Sequence, residues 1–234
     1  MKFTSYLAAV LVFAGAAKAA VYNIETSLNP LQAGTDNQGW YGSNNSNNNA
    51  TNDNYYTGFG GGSELRSWFA FDLSSVAGTI TGITFEVTRY GQSGNLTLGI
   101  FDVTTPASQL PLNRGAGVFP AIFNDLGSGT SYGTFSVLNG SSTDVLSLAL
   151  NPAAIFDANA ASGYFAIGAA IVGSSSGFIF AGSNNEPGNG GSGYTQRLVI
   201  TTDAAGVPET SGAAGLLAAA LAGLGIARRR SPRP

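Results

Sequence analysis

The chain has 234 residues, with 13 aspartates and glutamates against 10 lysines and arginines, and it contains no cysteine and no histidine. Without these two residue types it can form no disulfide, no thiolate or imidazole metal site, no cysteine nucleophile and no Ser-His-Asp triad. The stability of the folded chain must therefore come from a packed core.

The N-terminus predicts a secretory signal peptide over residues 1–19. After Met1-Lys2 comes an apolar run, Tyr6 to Ala17, and the small residues that follow provide a signal peptidase site. Cleavage after Ala19 is favoured, because a cut one residue later would place Lys18 in a pocket that prefers small side chains. The alternative is a buried N-terminal helix.

The body of the chain is predicted to be one domain, residues 20–203, followed by a linker, residues 204–210. From Ala20 to Val207 there are 188 residues, enough for a single domain with a full core. They include twelve acidic side chains against four arginines and no lysine, a net charge of −8. Because such a charge repels phosphate, nucleic acid is not an expected partner.

Short apolar runs separated by Gly, Ser, Asn and Asp predict strands joined by turns. In LRSWFAFDL, residues 65–73, the alternation predicts a central strand, packed firmly on the face of its odd-numbered residues and partly covered on the other. In ITGITFEVTRY, residues 80–90, it places Ile83, Phe85, Val87 and Arg89 inside. The next run, LTLGIFDV, predicts a hairpin from Ile80 to Val103.

Five further runs predict strands: YGTFSVL, DVLSLAL, YFAIGAAIV, GFIFAG and YTQRLVITT. Pro152 to Ala161 predicts one helix, since proline begins it and Gly163 follows its end. Eight or nine strands with one short capping helix favour an all-β fold, a two-sheet antiparallel sandwich of jelly-roll type.

The polar tract from Asp36 to Asn54 contains the candidate binding residues. Its aromatic rings could stack on a carbohydrate: Trp40, Tyr41, Tyr55 and Tyr56. Its side-chain oxygens are of the kind that Ca²⁺ accepts, although EF-hand spacing is absent: Asp36, Asn37, Asn52, Asp53 and Asn54. The alternative is a solvated loop in which Asn and Gly supply turn conformations.

Carboxylates near strand positions are the candidates for a glycosidase pair: Glu64, Asp72, Glu86 and Asp102. Arg66 and Asp72 share a predicted strand face and Arg89 is near, so structural ion pairing is the favoured role. The glycine-rich stretch Asn184 to Tyr194 predicts a hairpin loop, because no helix with a lysine follows it. No catalytic residue and no cofactor are therefore expected.

The C-terminus contains a run of 17 uncharged residues, Ser211 to Ala227, followed by the basic tail 228–234. The length of the run suits a transmembrane helix, and the arginines would stay on the cytoplasmic side. An amphipathic core helix is the alternative, but the run offers no polar face.

Val207, Pro208 and Glu209 before this run, with Arg228, Arg229 and Arg230 after it, resemble the PEP-CTERM sorting signal that exosortases recognise in Gram-negative bacteria. Thr210 stands where the commonest form of the signal has a second proline. The resemblance implies export, transient anchoring in the inner membrane, and release to the cell surface or the extracellular matrix. The implied partners are signal peptidase, exosortase and exopolysaccharide.

The body also resembles a family of PEP-CTERM surface proteins with a β-sandwich of unknown function, distantly like the modules named after a DNRLRE signature. The resemblance rests on ELRSWFAFDLSSVAGTITGITFEV, YFAIGAAIV, GFIFAGS and RLVITT, and implies no activity. We therefore expect an exported, non-enzymatic surface or matrix protein. The alternative is a carbohydrate-binding module that recognises exopolysaccharide through the Trp40 to Tyr56 loop, and a glycoside hydrolase is a third hypothesis.

Overall fold

The computed structural model describes residues 19–44, 47, 54–89, 91–112, 119–141, 144–181 and 196–203. The predicted signal peptide up to residue 18, the glycine-rich stretch 184–194 and the whole sorting signal lie outside these residues. Across the described ranges, no helix is both long and apolar enough to cross a membrane.

The described residues form twelve strands and two α-helices, together with one 3-10 turn at Ala107–Gln109. The strands are β1 (Val21–Glu25), β2 (Gln38–Gly42), β3 (Tyr55–Gly60), β4 (Ser63–Asp72), β5 (Ile80–Thr88), β6 (Gly91–Gln92), β7 (Leu96–Asp102), β8 (Ser131–Val137), β9 (Val145–Ala149), β10 (Tyr164–Ile171), β11 (Phe178–Ala181) and β12 (Gln196–Thr202). The helices are α1 (Pro120–Asp125) and α2 (Pro152–Ala160).

These strands form two antiparallel sheets, which confirms the predicted sandwich. The four-stranded sheet has the order β1-β12-β5-β9. The eight-stranded sheet has the order β6-β11-β3-β4-β10-β7-β8, and β2 also pairs with β4. Apolar side chains of both sheets meet in one core, in which Phe69 and Phe71 of β4 contact Phe85 of β5.

Strand β4 lies where the alternation of its sequence predicts. It pairs with β2, β3 and β10, so it is central in its sheet. The odd-numbered residues from Leu65 to Leu73 are all buried in or beside the core. The even-numbered side is covered as well, because Trp68 and Ala70 are fully buried on it.

The hairpin predicted from Ile80 to Val103 is not formed. Strand β5 pairs with β12 and β9, whereas β7 pairs with β10 and β8 in the other sheet. Between them the two-residue strand β6 pairs with β11. The chain therefore crosses from one sheet to the other at this point, and apolar alternation in two successive strands does not reveal whether they share a sheet.

A second apolar cluster, here called the outer layer, covers the face of the eight-stranded sheet that points away from the core. Its buried members are Tyr41, Trp68, Ala70, Leu110, Ile122, Phe123 and Leu126. They come from β2, β4, α1, the residue that follows α1 and the segment that precedes it. This layer explains why β4 is apolar on both faces, since a strand buried on both sides needs no polar face.

Helix α2 ends one residue before its predicted end and links the two sheets. The side chain of Asn151 caps its first turn by accepting a hydrogen bond from the backbone N–H of Ala153 at 3.0 Å. The helix packs against β5 of one sheet and β8 of the other. Near its end, the amide of Asn159 binds both backbone groups of Ile80, at 2.8 and 2.9 Å.

Candidate functional site

Two of the four aromatic residues predicted to bind sugar are buried on opposite faces of the eight-stranded sheet. Tyr41 is 2% exposed in the outer layer, and its hydroxyl donates to the backbone oxygen of Leu110 at 2.6 Å. Tyr55 is 2% exposed in the core, and its hydroxyl donates to the backbone oxygen of Thr88 at 2.5 Å. Neither ring is available to stack on a ligand.

The other two rings are half-buried, and Tyr56 stacks on Phe178 with ring centroids 5.2 Å apart. The four rings do not form one exposed surface, which corrects the expectation of a single aromatic loop from Trp40 to Tyr56. The reason is that strands β2 and β3 occupy both ends of this tract. Polar composition between Asp36 and Asn54 had suggested a loop throughout.

The candidate calcium ligands at the start of the polar tract are buried. Asp36 and Asn37 are 3% and 1% exposed, so this part of the tract is not the solvated loop of the alternative interpretation. Asn37 holds the chain before β2, because its Oδ1 accepts from the N–H of Leu31 at 2.6 Å and its Nδ2 donates to the oxygen of Leu28 at 3.1 Å. Asn52 and Asp53 lie outside the described residues. Within the described ranges, no three acidic side chains are grouped as metal ligands.

Two of the candidate glycosidase carboxylates form ion pairs. Glu64 accepts from Nε of Arg66 at 2.8 Å, and Glu86 pairs with Arg197 at 2.7 Å. The guanidinium of Arg66 also lies 4.2 Å from the ring centroid of Phe123, a cation–π contact. Both carboxylates therefore have structural partners.

The predicted pairing of Arg66 with Asp72 is wrong, since Asp72 lies beside neutral donors. The N–H of Ser74 donates to its Oδ1 at 2.9 Å and the amide of Asn29 to its Oδ2 at 2.5 Å. The hydrogen bond from Ser74 is the main cause that lowers the pKa of Asp72. Arg89 instead lies 3.7 Å from Asp144.

The fourth candidate, Asp102, lies in an open groove of about 290 Å³. The groove forms where the end of β7, the start of β8, the start of β10 and helix α2 meet. Its lining residues are Asp102, Val103, Thr130, Tyr132, Asp157, Ala161, Tyr164, Phe165 and Ala166. We call it the Asp102 groove.

The carboxylate of Asp102 is held by the turn before β8. The N–H of Thr130 donates to its Oδ1 at 2.7 Å, and the N–H of Asp102 donates to the oxygen of Thr130 at 3.0 Å. At Gly129 the backbone has φ +85°, and a Cβ there would overlap Oδ1 of Asp102. Glycine at this position therefore makes room for the carboxylate.

Burial raises the pKa of Asp102, and the negative charges of Asp125 and Asp157 raise it further. The hydrogen bond from Thr130 opposes this rise without cancelling it. The carboxyl of Asp102 therefore keeps its proton to a higher pH than an isolated aspartate does.

Asp157 enters the groove from α2 and is positioned by Tyr132. The hydroxyl of Tyr132 donates to Oδ2 of Asp157 at 2.8 Å. The ring of Tyr132 stacks on Phe165 at a centroid distance of 5.8 Å and is only 2% exposed. Burial, followed by this hydrogen bond and by the nearby negative charges, raises the pKa of Tyr132, so the phenol stays protonated as a donor.

Sequence reasoning selected Asp102 but missed Asp157, Tyr132 and Tyr164. These residues belong to separate elements, and no spacing in the sequence indicates that they meet. The one local signal is the Ser-Gly-Thr sequence at 128–130, since glycine just before a strand indicates a close approach of backbone to another group.

Comparison with known proteins does not name a family. No family model matches the sequence, and no curated protein is significantly similar to it.

Proposed function

We propose that this chain is an exported, non-enzymatic protein of the cell surface or extracellular polysaccharide matrix, processed at both ends. The observation that carries the proposal is the position of the first and last strands. Strand β1 begins at Val21, just after the predicted cut at Ala19, and β12 ends at Thr202, before Val207. Both predicted cuts would leave every described strand intact.

The pairing of these strands supports the same proposal. Strand β1 lies antiparallel to β12, with Val21 opposite Thr201, and the N–H of Thr202 donates to the oxygen of Ala20 at 3.0 Å. The described chain therefore starts and stops at one end of the four-stranded sheet. A body with both targeting segments at one end can be held at a membrane surface without unfolding.

The placement of three of the four candidate catalytic carboxylates favours a non-catalytic body. Glu64 and Glu86 bind arginines, and Asp72 binds backbone and amide donors. Each of these groups stabilises a strand end or a sheet face, which is a structural role.

We expect protein recovered outside the producing cell to begin at Ala20 and to lack Ser211 to Pro234. Mass spectrometry of the secreted form measures both ends. We expect both cuts because the sequence contains, in this order, a predicted signal peptide, a folded body, a Pro-Glu motif, an apolar run and three arginines. A full-length extracellular species would contradict the proposal.

Variants of the motif sharpen this test. Replacing Pro208 and Glu209 together by alanine is expected to leave uncut protein in the membrane fraction. Thr210→Pro, which creates the commonest form of the motif, is the matched control and is expected to be cut as the wild type is. Equal processing of both variants would exclude recognition of the Pro-Glu pair.

A further inference from the structure

Helix α2 is apolar on its outer face as well as on the face that packs against the sheets. Ala154 and Ala158 are buried on the inner face. On the outside, Pro152, Phe156 and Ala160 follow one another at intervals of four residues, and all three are exposed. Phe156 has 74% of its surface exposed, more than any other large apolar side chain of the described residues. Because a helix that is apolar all round is normally covered on both sides, the outer face of α2 lacks a partner.

The polar side chains of α2 do not need water on this face. Asp157 is the only charged residue of the helix, and its Oδ2 accepts a hydrogen bond from the hydroxyl of Tyr132 in the Asp102 groove at 2.8 Å. The Oδ1 of Asn159 accepts from the N–H of Ile80 at 2.8 Å, and its Nδ2 donates to the backbone oxygens of Ile80 and Ile155, both at 2.9 Å. The outer face can therefore leave water without breaking these hydrogen bonds.

The position of α2 identifies what would cover it. Asn159 binds Ile80, and Ile80 lies opposite Thr202 in the sheet. The N–H of Thr202 in turn donates to the oxygen of Ala20, so α2 lies at the end of the sheet where the described chain starts and stops. Residues 203–210 separate Thr202 from the predicted apolar run, and eight residues span at most about 29 Å. A membrane anchor at that run keeps α2 near the bilayer.

A lipid surface suits this face in chemistry and in strength. The apolar part of an aromatic ring enters the headgroup region of a bilayer readily. One ring binds a bilayer weakly, but a short tether raises its local concentration to the millimolar range, so that even a weak contact is populated. Because the body carries a net charge of −8, the favoured lipids have headgroups without net charge.

We propose that the outer face of α2 rests on the membrane surface while the sorting tail anchors the chain, with the ring of Phe156 in the headgroup region of a bilayer without net charge. The proposal rests on the proposed function for the anchor, since only an anchored chain holds α2 near the bilayer. It adds that the folded body itself contacts lipid before the tail is removed.

The test places one fluorescent label at a chosen position, which is simple because the chain contains no cysteine. Ala160→Cys puts an environment-sensitive dye one turn from Phe156. Leu138→Cys is the control at the other end of the sandwich: Leu138 is 69% exposed, and its backbone oxygen binds Arg89 just beyond the end of β5 at 2.7 Å. Each labelled full-length chain is reconstituted in phosphatidylcholine vesicles and isolated by flotation. Its emission is then measured with and without lipids that carry a quencher in the headgroup region.

Quenching is expected at position 160 and not at position 138. Phe156→Ala, introduced beside Ala160→Cys, is expected to lower the ratio of docked to undocked protein by about tenfold or more, because the ring supplies most of the buried apolar area. Adding phosphatidylglycerol to the vesicles is expected to weaken the quenching, since its negative charge repels the acidic body. All three changed residues are exposed, so none of the changes removes a core side chain.

The opposite outcomes overturn the proposal. Protein that does not float with the vesicles has no anchor, which contradicts the proposed function and this proposal together. Protein that floats but shows equal quenching at both positions, or quenching at 160 that survives Phe156→Ala, keeps the anchor and excludes only the contact of α2 with lipid. A blue shift at 160 that rises with protein concentration without quenching by lipid places a second copy on α2 instead. Stronger quenching with phosphatidylglycerol contradicts the preference for uncharged headgroups.

Discussion

Phe71→Ala is expected to lower the free energy of unfolding by about 3 to 5 kcal/mol, the range for removing a buried phenylalanine. Phe71 is fully buried in β4 and lies opposite Phe165 of β10. Its ring centroid is 6.0 Å from that of Phe85, which belongs to the other sheet. The substitution therefore leaves a cavity at the contact between the two sheets.

Chemical denaturation followed by tryptophan fluorescence measures this loss. Phe156→Ala is the matched control, because Phe156 lies on α2 with 74% of its surface exposed. We expect that control to change stability by no more than about 0.5 kcal/mol. Similar losses for the two variants would mean that the core is not where the structure places it.

Gly168→Ala is expected to destabilise the protein by about 2 to 3 kcal/mol, in the upper part of the range for overpacking. Gly168 lies opposite Trp68 on the face of β10 that carries the outer layer. A Cβ at this position would lie 2.7 Å from Cα of Leu126 and closer still to its backbone oxygen. The end of α1 would have to move away from the sheet.

Gly82→Ala is the control, and the opposite sign is expected. In β5 the nearest atom to an added Cβ is Cβ of Thr201 at 3.7 Å, an ordinary contact. Alanine within a strand stabilises by about 0.5 to 1 kcal/mol relative to glycine. Thermal unfolding of both variants measures the difference, and a Gly168→Ala protein as stable as the control would show that α1 does not pack against β10.

The candidate site was only partly predictable, and particular residues show why. Asp102 was selected because a carboxylate near the end of an apolar run is visible in the sequence. Asp157 lies on a helix that was predicted nearly to its last residue, but its approach to Asp102 depends on how α2 crosses both sheets. The polar neighbours of Tyr41 and Tyr55 in the sequence predict exposed rings, whereas both rings are buried by packing against other strands.

The sequence by itself determined the all-β class, the faces of β4 and β5, and the helix that begins at Pro152. These features depend on periods of a few residues and on proline and glycine at element ends, which act locally. The predicted signal peptide and the predicted sorting signal can likewise be recognised in the sequence, because each is one contiguous segment.

Only the tertiary structure decided that β5 and β7 belong to different sheets, that an outer layer covers Trp68, and that Asp102, Asp157 and Tyr132 meet in one groove. Strand pairing and side-chain packing join residues far apart in the chain, and their free energies depend on the partner surface rather than on the segment alone. The same alternating segment fits an adjacent strand or a strand in the facing sheet, so the choice is made when the two sheets close over their common core.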